Sequence, residues 1–586
     1  MSSNIHTVDT DVLIIGGGLG GCMAAINAAD LGAKVVVTDK SNTVASGAAA
    51  TGIDHIWSYI PEVHEKMGYT LEDMAEEHRL GMSAGFLRKD LFLLVAGTMY
   101  ERVLDLERWG IRFRYEDSKA PGHFRIVPQF HSVPTSFNFD GVPLKRVLTR
   151  EVKKRGVSIF NRVQMMDLLV TDGQVAGAVG VGTRTGDIHV FRAKAVVLAS
   201  GRANRLGRNL TGYDFNTRMP GPFSGDGQSM AIRAGLTQIN MELLSGRILA
   251  PCANYGPNYG DPRNTTQPAA RIIDGKGNVL VPRTWFYDWE KLGKEKWSLE
   301  VRNKWLEERR TIANARRHMV AEQRNGGGPF YLDFSEATDE EAAYIEWSIR
   351  NEGRGTQFLR YFLGEEKADL RRNKQEYAGF SIREISGYSA AGLWVSGDLE
   401  TDVRNLFGVG DIVGGLPFGA SPAAFAMGWH AGKMAAERAG EEKALLSFKE
   451  DAVKARSSLC QEILGRKRGF FWKEVETYVQ NVLDFYCGDV RSEPMLRRGL
   501  ERLEDAKEAP LRAENPHELA RSMDVKSIID IAEVTMRASI ERKESRMAPT
   551  PFRRAEYPEQ DNEHWLRFLA VRKDGHDFKF TTFPVG

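Results

Sequence analysis

Asp11-Val12-Leu13-Ile14-Ile15-Gly16-Gly17-Gly18-Leu19-Gly20-Gly21 is the stretch that decides the fold. Its first five residues read as a buried parallel strand. Gly16, Gly18 and Gly21 form a G-x-G-x-x-G turn into a helix over Cys22 to Leu31. Val35-Val36-Val37 is a second strand, and Asp39 closes it about 20 residues after the glycines. Strand, turn, helix and acid together make the βαβ dinucleotide fingerprint. Gly16 permits the tight turn, Gly18 lets the backbone approach a pyrophosphate, and Gly21 lets helix and strand close up. The helix N-terminus offers unpaired N–H groups and a positive dipole end to that anion. Asp39 can accept hydrogen bonds from an adenosine ribose. The alternative is a glycine-rich loop of some other α/β protein, and the elements around the glycines argue against it.

Outward from this unit, 586 residues exceed one hydrophobic core, so two to four domains are expected. Apolar content is 42% and the net charge is +1, an ordinary globular balance with no basic excess for nucleic acid or an anionic membrane. No apolar run reaches the ~18 residues needed to span a bilayer. Met1 to Thr10 lack the basic start and apolar stretch of a secretion signal, so the expected location is cytoplasmic. Cys22, Cys252, Cys460 and Cys487 are widely spread, with no metal or Fe–S spacing. The chain is therefore expected to carry no metal site, and any Fe–S relay must come from another subunit.

Residues 62 to 110 read as mostly helical. Asp172-Gly173 is a hairpin signal between Met166–Val170 and Val175–Val181. Ile188–Phe191 adds a strand, and Val196–Leu198 is an apolar strand running into Ala199-Ser200-Gly201. Residues 245 to 370 change composition, with Trp285, Trp289, Trp297 and Trp305, many charges and turn clusters, and read as an inserted α+β cap. Strand signals return at Leu393–Val395 and Leu406–Val409. Ser421 reads as an N-cap before Pro422, opening a helix to Arg438 rich in small residues. Such residues let a helix approach a flat ligand or another backbone. The expected division is 1–244 and 371–440 for a two-segment dinucleotide domain, 245–370 for the cap, 441–546 for a helical domain and 547–586 for an irregular, Pro-rich tail packed on the body.

The chain resembles the flavoprotein subunits of fumarate reductase and succinate dehydrogenase, and more closely the α subunit of adenylylsulfate (APS) reductase. Besides the fingerprint, the likeness rests on Ala199-Ser200-Gly201, Ser224-Gly225-Asp226-Gly227, Met241-Glu242, Arg316-Arg317-His318-Met319, Pro329–Asp333, Gly392–Gly397, Gly410-Asp411 and Arg542–Arg546. It implies an α/β fold: a Rossmann-like FAD-binding domain, an inserted α+β capping domain and a C-terminal helical domain. It also implies bound FAD and a ferredoxin-like Fe–S partner. Gly16, Gly18, Gly20 and Gly21 would take the pyrophosphate, and Asp39 with Lys40 the adenosine side. Ser46 and Gly47 would lie in the flavin loop, and Ala199, Ser200 and Gly201 near the adenine. Asp226 and Asp411 would serve the pyrophosphate–ribityl region. The helix after Ser421 would point its positive end at the pyrimidine ring.

The departures bear on chemistry. Met241-Glu242 is followed by Leu243-Leu244-Ser245-Gly246-Arg247, without the His-Pro-Thr-Gly segment of fumarate reductases. The histidine that attaches flavin covalently in membrane-bound members falls on Gly47, so FAD is expected to be non-covalent. The active-site histidine of APS reductase falls at Gly387, beside Tyr388, and its flavin-loop asparagine becomes Trp57. A small anionic substrate is expected, clamped by arginine because the planar guanidinium pairs bidentately with such anions. Arg316 and Arg247 are the leading candidates. Tyr388 and His318 are candidate proton donors. Trp57 either narrows the pocket or belongs to the core. Three readings stand: an oxidoreductase acting on a small anion, an electron-transfer subunit without a small substrate of its own, and a true APS or fumarate reductase with a rearranged pocket.

Overall fold

The computed structural model describes residues 4–50, 52–114, 122–128, 130–208, 221–251, 270–281, 296–339, 341–343, 347, 371–372, 374–385 and 387–586. The fingerprint strand is longer than its apolar core suggests. β1 runs Ile5–Ile15, because residues 5–10 pair in parallel with the first half of the strand Ile188–Leu198. α1 spans Leu19–Asp30 and buries every residue from Leu19 to Ala28. β2 (Val35–Asp39) pairs with β1, and Ser158–Asn161 lies outside it, also in parallel. On the other side of β1, Ile188–Leu198 carries Gln174–Gly182 and Val163–Thr171 as an antiparallel excursion. Asp172 and Gly173 turn that hairpin with φ of 49° and 73°, the left-handed values a two-residue hairpin requires. Leu406–Gly408 then pairs with Val196–Leu198, returning the chain to the central sheet.

The small-residue helix, Ala420–Glu441, lies on α1 rather than on a ligand along most of its length. A Cβ on Gly428 would stand 2.4 Å from Gly20 O, and one on Gly432 2.4 Å from Ala24 O. The two backbones therefore touch, and the glycines set their separation. Gly428→Val should lower stability by about 3 kcal/mol, since neither backbone can give way without moving the sheet beneath it. Thermal unfolding checks this; an unchanged midpoint would show that the helices separate freely. The helix starts earlier than expected, with Gly419 as its cap, so Ser421 sits inside the first turn and caps nothing. Pro422 is tolerated there because first-turn N–H groups have no helical acceptor.

The cap carries a five-stranded sheet: Ser245–Pro251, Gln375–Glu384, Phe330–Asp333, Arg271–Asp274 and Val279–Val281. Gln375–Glu384 closes it against Ser245–Pro251, so this sheet reaches past residue 370. Helices Glu450–Gly465, Trp472–Tyr486, Glu493–Glu508 and Pro516–Glu541 follow. The expected irregular tail is a hairpin instead. Arg567–Asp574 and Asp577–Pro584 pair with each other, and the first also pairs with Gln238–Ile239. It thus packs on the dinucleotide half rather than only on the helices. Buried Arg542 ties the same region, meeting Glu242 at 2.5 Å and Glu544 at 2.9 Å.

Candidate functional site

The first βαβ unit, the loop after β2 and the start of helix Ala420–Glu441 enclose a cavity of about 380 Å³. Gly16, Gly18 and Gly20 form one wall, Asp39 and Lys40 one end, and Ser46, Gly47 and Ala48 a second wall. Ala199, Ser200, Gly201, Asp226, Tyr388, Asp411 and Ser421 complete the lining. Residues from widely separated stretches of sequence therefore meet here. Gly21 is not in the lining. It sits behind the turn, where a Cβ would stand 1.8 Å from Gly16 O, so its role is to let α1 close on β1.

The turn is held rigidly from behind. Gly17 N donates to Asp39 Oδ2 at 2.8 Å, Ser46 Oγ donates to the same oxygen at 2.7 Å, and Ser41 N donates to Asp39 Oδ1 at 2.6 Å. Asp39 thus braces the turn, and a ribose contact must share its remaining lone pairs. Lys40 and Asp226 are likewise tied to protein. Lys40 Nζ donates to Asp226 Oδ2 at 2.6 Å, to Ser224 Oγ at 2.8 Å and to Asp524 Oδ1 at 2.9 Å. Asp524 comes from helix Pro516–Glu541 and is 1% exposed. Burial opposes its charge, but Lys40, Arg205 and Arg521 hold its carboxyl far below the usual range. Nothing local in the sequence marks Asp524, which lies far along the chain from Lys40.

The other end of the cavity retains unmet polar groups. Ser200 Oγ and Asp411 Oδ1 are buried without a hydrogen-bond partner among the described residues. Arg202 binds the other Asp411 oxygen, through Nε at 2.8 Å and Nη2 at 2.5 Å, and its charge is held by Asp411 and Glu384 despite burial. Orphaned acceptors and donors on a glycine-lined cradle suit a ligand rich in hydroxyls and phosphate oxygens, which is the chemistry of FAD. Arg202 directly follows Ala199-Ser200-Gly201, so its position could have been read from the motif.

Gly47 has φ of 85°, and a Cβ there would stand 3.0 Å from Gly18 Cα. At Gly387 a Cβ would meet Asp411 Oδ1 at 2.2 Å. A side chain is therefore strained at Gly47 by its left-handed φ, and crowded at Gly387 by Asp411 and the Ala420 backbone. Tyr388 lines the cavity, its ring 5.6 Å from the Arg202 guanidinium carbon and edge-on to Phe418 at 5.4 Å. His318 is exposed on the helix Leu299–Arg324, and does not line this cavity. The side chains of Arg316 and Arg247 lie outside the described residues. Trp57 belongs to the core. It stacks on Phe92 at 5.4 Å, and Nε1 donates to Phe418 O at 3.1 Å. His78 Nε2 donates to the neighbouring Pro417 O at 2.7 Å. Together they hold the loop before Ala420 from behind, where Phe418 and Ala420 adopt left-handed φ of 63° and 42°.

Comparison with known proteins agrees with this geometry. The family model described as FAD binding domain matches residues 11–423, and that described as Fumarate reductase flavoprotein C-term matches residues 476–585. The fumarate reductase flavoprotein subunit of Haemophilus influenzae is 24% identical, covering 96% of this chain and 92% of its own. The adenylylsulfate reductase subunit alpha of Megalodesulfovibrio gigas is 27% identical over 34% of this chain and 32% of its own. The adenylylsulfate reductase structure from Archaeoglobus fulgidus superposes with a TM-score of 0.84 at 24% identity, over 99% of this chain and 96% of that one.

Proposed function

Because this chain belongs to the FAD binding domain family and is an FAD-dependent oxidoreductase, we propose that it exchanges electrons between an Fe–S partner protein and a small anionic substrate. The observation that carries the reading is the continuity of one cavity from the glycine turn to Tyr388 and the start of helix Ala420–Glu441. When bound, FAD supplies the two-electron chemistry. The chain's own residues do the rest. The turn and α1 receive the pyrophosphate. Ser200 and Asp411 offer free polar atoms to hydroxyls. The N-terminus of Ala420–Glu441 lowers the cost of negative charge on the adjoining ring. Tyr388, whose hydroxyl-bearing ring lines this cavity, is the proposed hydrogen-bond donor to substrate. Arg316 and Arg247 remain the proposed anion clamps.

The electron-transfer reading without a small substrate draws support from one feature: Gly387 has no room for the histidine that APS reductases carry. Both readings share a first experiment. The FAD of purified protein should pass wholly into the supernatant on acid precipitation, because Gly47 offers no attachment atom. Flavin retained in the pellet would overturn the non-covalent reading. A separate, untreated portion of the holoprotein is mixed with reduced viologen and a panel of small enoates, sulfonates and nucleotide anions. Oxidation of viologen by any of them favours the enzyme with its own substrate. Reduction of flavin without turnover of any acceptor favours the electron-transfer subunit.

A further inference from the structure

Lys145 is a buried lysine with no direct ion pair among the described residues. It is 2% exposed. Its Nζ donates to Gly17 O at 2.5 Å and lies 3.4 Å from Cys22 Sγ. No carboxylate among the described residues pairs with it. It is the second residue of helix Leu144–Lys154, whose first turn holds no acid, so it also faces the positive end of that helix. Burial raises the Cys22 thiol's pKa, so the neighbouring sulfur stays neutral and supplies no counter-charge. The buried Asp39 carboxylate, held by the neutral donors Gly17 N, Ser46 Oγ and Ser41 N, stands across the Gly17 residue as a partial counter-charge out of direct contact. A buried cation without a direct ion pair gains from further negative charge brought close to it.

The geometry shows where that anion would be. Gly17 is absent from the cavity lining, whereas Gly16 and Gly18 are part of it. The Gly17 carbonyl points backward, into Lys145. In a trans peptide the N–H of the next residue points the opposite way. Pinning Gly17 O inward therefore aims Gly18 N–H into the cavity, and the ammonium polarises the peptide in the sense that strengthens this donor. We propose that Lys145 is the counter-charge for the FAD pyrophosphate, acting from behind the glycine turn through the Gly17–Gly18 peptide. Lys145 is thus a positioning residue, and the assignment rests on FAD occupying this cavity.

The test compares the full wild-type chain with Lys145→Met and Lys145→Gln. FAD affinity is read from flavin fluorescence on dilution of the holoprotein, and ADP competition reports on the pyrophosphate half alone. The expected result is at least a tenfold loss of FAD and ADP affinity in both variants, with the thermal midpoint of the FAD-free chain unchanged or raised. A merely structural lysine would instead lower the FAD-free midpoint. Affinity within twofold of wild type in either variant overturns the proposal. Gln retains a donor for Gly17 O, so wild-type affinity in that variant alone would show that the hydrogen bond and not the charge matters. Should Lys145→Met not fold, Lys145→Gln decides alone. Wild-type protein that binds no FAD would sink the functional reading itself, a distinct outcome.

Discussion

Gly18→Val is expected to give a folded chain that purifies without flavin. Gly18 has φ of −69° and ψ of −163°, an extended conformation open to any residue. The nearest atom to a Cβ there is Gly47 Cα at 3.8 Å, an ordinary contact. A valine therefore strains nothing in the protein. Its methyl groups project into the cavity where the pyrophosphate must approach the backbone. The expected loss of FAD affinity is roughly a hundredfold or more, about 2.7 kcal/mol. The FAD-free thermal midpoint should stay near that of FAD-free wild type. Gly440→Val is the control, because a Cβ at Gly440 meets nothing within 4 Å. It should retain its flavin. A Gly18→Val protein with full flavin content would show that the cofactor does not rest on this turn.

The second large effect is on stability in acid. His64 and His78 are buried and held neutral, each with its pKa lowered to about 4, chiefly by desolvation. His64 is satisfied only as the neutral ring: Nδ1 accepts from Ile60 N at 3.0 Å and Nε2 lies 2.8 Å from Pro134 O. His78 is in a chain with His131, whose Nε2 lies 3.4 Å from His78 Nδ1 and whose own Nδ1 lies 3.1 Å from Thr135 Oγ1. Burial lowers the His131 pKa furthest, and the positive charge of Arg309 acts in the same sense on both His78 and His131. The unfolded chain takes up these protons near pH 6.5, whereas the folded chain resists them down to about pH 4. Stability should therefore fall as pH drops through that window, by roughly 3 kcal/mol for each of the two residues, and flatten below it. His64→Gln keeps a donor and an acceptor but removes the titration. Denaturant unfolding across pH 4.5 to 6.5 should show a slope smaller by about one proton in that variant. Equal slopes in the variant and wild type would mean that His64 is not held neutral.

The fold was legible where the information is local. Asp11–Ile15 and Gly16–Gly21 announce β1 and its turn because a buried parallel strand is apolar throughout and the turn needs glycine. Asp172-Gly173 announces its hairpin for the same kind of reason. Gly47 and Gly387 could be read as empty positions only through a resemblance, and the structure adds the backbone strain at the first and the crowding at the second. What escaped is what depends on distance along the chain. Lys145 looks like one more lysine on an amphipathic helix until the fold sets it beneath Gly17. Asp524 has no signature of its own, and its meaning comes from Lys40. Ser421 misled because a serine before a proline is a good cap locally. Here the preceding loop, anchored by Trp57 and His78, starts the helix earlier. The proline-bearing tail hid a hairpin because its pairing partner lies at Gln238–Ile239, more than half the chain away.

That last pairing, with the Lys40–Asp524 contact, sets an order of events during synthesis. The glycine turn leaves the ribosome well before the segments that complete its surroundings. About 500 residues must follow before Asp524 can hold Lys40, and the hairpin that covers Gln238–Ile239 comes later still. At ordinary elongation rates this takes roughly 25 to 100 s. Until Ile188–Leu198 emerges, β1 has only β2 beside it and its other apolar edge is unpaired, and Ile188–Leu198 in turn waits for Leu406–Gly408. Flavin loading is then expected to be a late step, and the interval before it is when the unpaired strand edges are most open to aggregation.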